Sequence, residues 1–142
     1  MADEVLTATI EGLPELLASF DEFDAEVQEA IAKEVATAAV NIEGGAKVRA
    51  PVLKVPRMVN GALYSGGRLR QSIRKYFDTD GPGTAEVRVE VDYAAPVELG
   101  HRTSAGTFVP GQPYLYPALE EESPKFWDRL SKTLGELVGR SR

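Results

Sequence analysis

The stretch Thr84-Ala85-Glu86-Val87-Arg88-Val89-Glu90-Val91-Asp92-Tyr93 alternates without a break. Successive side chains of a strand point to opposite faces, so Val87, Val89, Val91 and Tyr93 share one side and Glu86, Arg88, Glu90 and Asp92 the other. The apolar side packs on a core and the charged side meets solvent or a neighbour, the pattern of a half-covered antiparallel sheet. Upstream, Ile73 to Thr79 is rich in aromatic and long side chains, and Asp80-Gly81-Pro82-Gly83 is a turn. The two strands are therefore expected to pair as an antiparallel hairpin.

Working toward the N-terminus, Val27, Ile31, Val35, Ala38, Ile42, Ala46 and Arg49 recur at helical spacing, with Asp21 or Asp24 as the cap. Gly44 and Gly45 interrupt the composition of this long helix but not its phase. They imply a kink or the close approach of another backbone. Pro51 ends the helix near Ala50. Val5 to Ile10 alternates weakly, as a short edge strand would. Toward the C-terminus, Ala94 to Leu99 reads as a short turn. A helix resumes after Pro113 with Leu115, Leu119, Phe126, Leu130, Leu134 and Leu137, and Ser123-Pro124 is expected to divide it.

The remaining segments, Leu53 to Gly67 and Gly100 to Gln112, hold Gly, Pro, Ser and Asn without a clean period and read as two long loops. Ordering such loops costs backbone entropy, so they are expected to act at assembly and to add little to the fold. The expected fold class is α+β: a small antiparallel sheet packed by a long N-terminal helix and a C-terminal helix, with residues 1–142 as a single domain.

With 43% hydrophobic and 27% charged residues, the chain has the balance of a folded protein rather than a disordered one. The absence of cysteine excludes disulfides, thiolate metal sites and cysteine nucleophiles. The N-terminus, MADEVLTATIEG, carries acids where a secretory signal has basic residues, so a place in the cytoplasm of whatever cell makes it and no membrane association are expected. A formal net charge of −6 argues against a surface that broadly neutralises phosphates.

Few residues suggest chemistry. Glu98 can bring a carboxylate near His101, the only histidine, yet no third group stands at motif spacing. Glu120, Glu121 and Glu122 follow one another on a helix and point in different directions, so they read as a solvated face rather than a cation site. No catalytic, cofactor or metal residue is expected. The basic cluster Arg68, Arg70, Arg74 and Lys75 has two readings: a helical turn with Leu69 and Ile73 buried and the cations paired with acids, or a nucleic-acid-binding module. A small hydrolase centred on His101 is a third possibility. Interaction residues are expected on the cluster (Arg68, Arg70, Arg74), on the charged strand face (Glu86, Arg88, Glu90), and at the mouth of the second loop (Glu98, His101, Arg102).

Four stretches in order then carry a resemblance: Ala50-Pro51-Val52, Gly67-Arg68-Leu69-Arg70-Gln71-Ser72-Ile73, Tyr93-Ala94 with Val97-Glu98-Leu99-Gly100, and Pro113-Tyr114-Leu115-Tyr116-Pro117-Ala118-Leu119. Their order and spacing resemble the tail-component family of long-tailed bacteriophages, whose members complete the tail or join it to the head. Two departures stand out: Leu53 to Ser65 intervenes where the family passes almost directly onward, and Gly66 replaces the usual Thr. The resemblance implies a virion neck protein forming a homo-oligomeric ring, six-fold by expectation. Its implied partners are a head-side connector or head-completion protein and tail terminator or tail-tube proteins. Phage DNA would pass through the lumen without sequence-specific binding. Within that resemblance, Pro51 stops a helix, Tyr93 closes the core face of its strand and Pro117 starts the last helix.

Overall fold

A computed structural model describes residues 6–52, 57–59, 62–64 and 67–140. The alternating stretch forms the centre of a three-stranded antiparallel sheet. Its strands are β1 (Leu6–Ala8), β4 (Ile73–Phe77) and β5 (Ala85–Val89), in the order β1-β5-β4. Val89 stands opposite both Leu6 and Ile73, and Val87 opposite Ala8 and Lys75. Val87 and Val89 are buried, as the alternation requires.

Strand β5 stops at Val89, although the alternation runs on to Tyr93. Beyond Val89 the ladder has no partner among the described residues, because β4 begins at Ile73, directly after the short helix α3 (Arg68–Ser72). Val91 and Tyr93 still pack against the core, but Tyr93 sits at the N-cap of a further helix and not on the strand face. That helix, α4 (Ala94–Leu99), replaces the expected turn.

The long helix α2 (Ala25–Arg49) follows a short helix α1 (Leu13–Ala18) and a 3-10 turn at Phe20–Glu22. Asp24 is its cap, with Oδ1 accepting the Val27 N–H at 2.9 Å. Ile31, Val35, Ala38, Ala39, Ile42 and Ala46 are its buried face. Gly44 and Gly45 leave the helix intact. A Cβ on Gly45 would stand 3.2 Å from the Ala118 Cβ, so this glycine gives room to the C-terminal helix. Ala50 turns to extended backbone before Pro51, as expected.

That C-terminal helix, α5 (Leu115–Arg140), runs antiparallel to α2 and passes straight through Pro124. A proline inside a helix costs about 3 kcal/mol, which made a break at Ser123 the natural expectation. Buried residues on both sides of it hold the helical phase. Phe126 fills the core, and Glu122, 3% exposed rather than solvated, lies between the two helices. Asn41 donates to the Glu122 carboxylate at 3.1 Å and Arg129 at 2.8 Å, while Arg129 also reaches Glu34 at 3.1 Å. Burial alone would lower the Arg129 pKa, but these two carboxylates outweigh it and hold the guanidinium firmly charged. Glu121 instead meets Arg49 and Lys125 at the surface.

Helix α2 packs on β4 and β5 while α5 contacts α2 and β1, so the core lies between the helix pair and one face of the sheet. Tyr114, Leu115, Phe126, Ile31, Ile73 and Val89 are among its fully enclosed side chains. One link ties sheet to helix through polar groups. Glu43 on α2 accepts the Lys75 main-chain N–H at 2.8 Å and the Lys75 Nζ at 3.1 Å.

Both expected loops contain strands. Within residues 53–67, β2 (Arg57–Val59) pairs with β3 (Ala62–Tyr64), Val59 facing Ala62 across Asn60-Gly61; the rest of Leu53 to Gly66 lies outside the described residues. Within residues 100–112, β6 (Gly100–Arg102) pairs with β7 (Phe108–Pro110). Among the described residues no helix is long and apolar enough to cross a membrane.

Candidate interaction surface

The second hairpin grows from a polar junction built by two of the quoted stretches. Glu98, on α4, is only 2% exposed, and its carboxylate faces the first turn of α5. Its Oε1 accepts the N–H groups of Tyr114 at 3.1 Å and Leu115 at 2.7 Å, and its Oε2 that of Tyr116 at 3.3 Å. Helix N-termini leave such donors unpaired and carry partial positive charge, so a carboxylate there satisfies both. Tyr114 returns the link by donating its hydroxyl to the Ala94 carbonyl at 2.9 Å. Burial, with the Glu98 charge adding to it, pushes the Tyr114 phenol well up, so it remains a donor. Glu98 is thus a helix cap and not the partner of His101, which is exposed on the far side of Gly100.

Two glycines let the chain leave and re-enter this junction. Gly100 has φ +90°, and a Cβ there would stand 2.8 Å from the Val109 carbonyl oxygen. A Cβ on Gly111 would stand 2.5 Å from the Glu98 carbonyl oxygen. Only glycine fits either position without moving backbone. The Gln112 N–H then bonds the Val97 carbonyl at 2.7 Å and closes the base.

Beyond the base, residues 101–108 are all exposed. The tip is nevertheless ordered by its own bonds. The Thr103 N–H donates to the Thr107 carbonyl at 2.8 Å, the Gly106 N–H to the Thr103 carbonyl at 2.9 Å, and the Arg102 guanidinium to the Gly106 carbonyl at 3.1 Å. This segment is a formed arm, contrary to the expectation of a loop that orders only at assembly. Leu99 and Phe108 stand 62% and 54% exposed at its root, and Arg102 meets no carboxylate among the described residues.

The expected strand face is a second surface. Arg88 pairs with Glu86 at 2.8 Å and lies 4.7 Å from the centre of the Tyr76 ring, while Tyr76 donates its hydroxyl to Glu90. The Glu90 carboxylate raises the Tyr76 phenol pKa and the Glu86 carboxylate raises that of Arg88. Arg74 sits opposite Arg88 in the register. Arg68 and Arg70 are exposed on α3, whereas Lys75 turns inward to Glu43. The basic cluster is therefore split, and acids line the sheet beside it. Leu69 and Ile73 are buried, as the helical-turn reading required. Among the described residues no group of His, Asp and Glu is placed to hold a metal ion.

Sequence reasoning took Glu98 as a carboxylate near His101 and as a candidate interaction residue, whereas the fold buries it. The signal that it is not solvated lies in its distance from the Pro113-Tyr114-Leu115 helix start, and only the tertiary fold reveals that distance. No curated protein and no solved structure matches the chain. Residues 14–100 match the model of one family, described as "Bacteriophage HK97-gp10, putative tail-component". The match spans α1 through α4 and the first three quoted stretches, and ends at the first residue of the arm. Covering more than half of the sequence, it shows that the chain belongs to the HK97-gp10-like family of bacteriophage tail components.

Proposed function

We propose that the chain is a structural, non-catalytic virion subunit, one member of a six-fold homo-oligomeric ring that completes the tail and joins it to the head. A connector or head-completion protein lies on one side, tail terminator or tail-tube proteins lie on the other, and the genome passes through the bore. The arm carries this reading. A two-stranded hairpin standing free in water is marginal on its own, and an ordered one with exposed Phe108 and Arg102 suits a contact made with another molecule. The mixed-sign face of Arg74, Tyr76, Glu86, Arg88 and Glu90 suits a second contact of a different kind, and closed rings need two different patches.

The test is electron microscopy of the purified chain and of particles assembled with and without it. Rings alone or in the neck are expected, with filled heads and unattached tails accumulating in its absence. Particles that join heads to tails without the chain would refute the reading. A hydrolase and nuclease screen of wild type against His101→Ala should show no difference, and turnover lost with that substitution would overturn the non-catalytic part.

A further inference from the structure

We propose that the arm of one copy docks into an acidic cleft on a second copy of this chain. The cleft, about 380 Å³, lies between the N-terminal half of α2 and the C-terminal end of α5. Glu26, Glu29, Glu34 and Glu136 line it beside Thr133, and among the described residues Lys33 is the cation that lines it. Glu34 is satisfied by Arg129 and Thr133, but Glu26, Glu29 and Glu136 make no ion pair among the described residues.

The arm is the complement. Arg102 is exposed, meets no carboxylate among the described residues, and is held in place by its bond to Gly106. Its rigidity lowers the cost of docking, since the tip is already ordered before contact. The arm cannot fill the cleft of its own chain. Its root lies at Leu115, and Thr133 is about 27 Å further along α5 at a rise of about 1.5 Å per residue. Five residues of hairpin reach only about 17 Å. A contact between the two sites is therefore between copies and head-to-tail, and repeated copies close into a ring or run on as a filament. This inference rests on the ring reading above and names the contact that makes the ring.

The test uses the full chain in two charge-reversed forms, Arg102→Glu and the pair Glu29→Lys with Glu136→Lys. Glu29 and Glu136 are exposed and make no ion pair among the described residues, and Arg102 is exposed with one bond to the Gly106 carbonyl at the tip, so both forms should keep the wild-type circular dichroism, with Arg102→Glu loosening only the tip of the arm. Sedimentation should show self-association of the wild type that weakens with salt. Each variant alone should associate at least about ten-fold more weakly, because like charges then meet across the contact. Mixed in equal amounts, the two variants should recover assemblies in which they alternate, since each arm again finds an opposite charge. A variant that associates like wild type, or a mixture that stays dissociated, overturns the docking. If Arg102→Glu changes only affinity for DNA, the arm serves a nucleic acid and the docking is likewise overturned. Rings that persist in both variants sink this contact and leave the ring reading standing. A wild type that neither associates nor occupies the neck of particles sinks both.

Discussion

Hairpins β4–β5 and β6–β7 use the same antiparallel pairing, yet one has a buried face and the other has none. In β4–β5, Ile73, Val87 and Val89 press into the core under α2, and the hairpin is held by area removed from water. In β6–β7 every residue from His101 to Phe108 is exposed, and order comes from the two ends: turn bonds at the tip and a capped helix at the base. The first hairpin belongs to the fold and the second is presented by it. An exposed segment is thus kept in shape without drawing on the core.

The sharpest way to break the contrast is to strike the supported hairpin. Val89→Asp places an unpaired carboxylate among enclosed apolar side chains and should cost more than about 4 kcal/mol, enough to unfold or aggregate the protein. Arg88→Ser, one residue away on the solvent face, should cost less than about 1 kcal/mol in the same urea melt. Equal losses would mean that the two faces are wrongly assigned.

Next in size is the base of the arm. Glu98→Ala strands the N–H groups of Tyr114, Leu115 and Tyr116 and should cost about 3 kcal/mol, with Glu98→Gln losing about half as much. Amide exchange at Tyr114 and Leu115 should quicken first, and unchanged protection there would remove the cap from the account. Gly100→Ala should cost about 1 to 2 kcal/mol, because its φ of +90° and the nearby Val109 carbonyl both oppose a side chain. Exchange should then rise along residues 101–109 and not along β5, a separation that the two-region picture requires.

The smallest effect concerns Glu43. Desolvation pushes its carboxyl up, but the Lys75 side chain and main-chain N–H, with Lys47, outweigh it and hold the pKa below the ordinary value. A lowered folded value gives stability that is complete above the ordinary carboxylate range and is lost as pH falls through the folded value. Glu43→Gln should therefore cost below about 1 kcal/mol at neutral pH and nothing in strong acid. A constant difference across that range would assign the effect to packing instead.

Much of the fold was legible in the residues. Alternation located β5, helical spacing located α2 and α5, and Asp21 or Asp24 marked a helix start that the fold assigns to Asp24, because each is a local pattern with a local cause. What escaped was decided by partners far along the chain. Pro124 reads as a helix break until Glu122 and Phe126 are seen anchored on either side of it. The alternation past Val89 reads as strand until the neighbouring strands run out. Val59-Asn60-Gly61-Ala62 did carry a two-residue hairpin signal, obscured by the irregular residues around it. Of the candidate interaction residues, the fold brings Arg74, Glu86, Arg88 and Glu90 onto one face of the sheet and places His101 and Arg102 on the arm. It withdraws Glu98 into the interior, since the need of a buried helix end outweighed the usual solvation of a glutamate.

The bond from the Lys75 N–H to Glu43 bears on how such a protein survives being made in many copies. A sheet margin with open N–H and carbonyl groups is a template on which other chains can polymerise. At β4 the Ile73 N–H is taken by the Arg70 carbonyl and the Lys75 N–H by Glu43, so that margin offers little to a stray strand. Copies crowded together in solution are thereby steered away from fusing edge to edge into fibres.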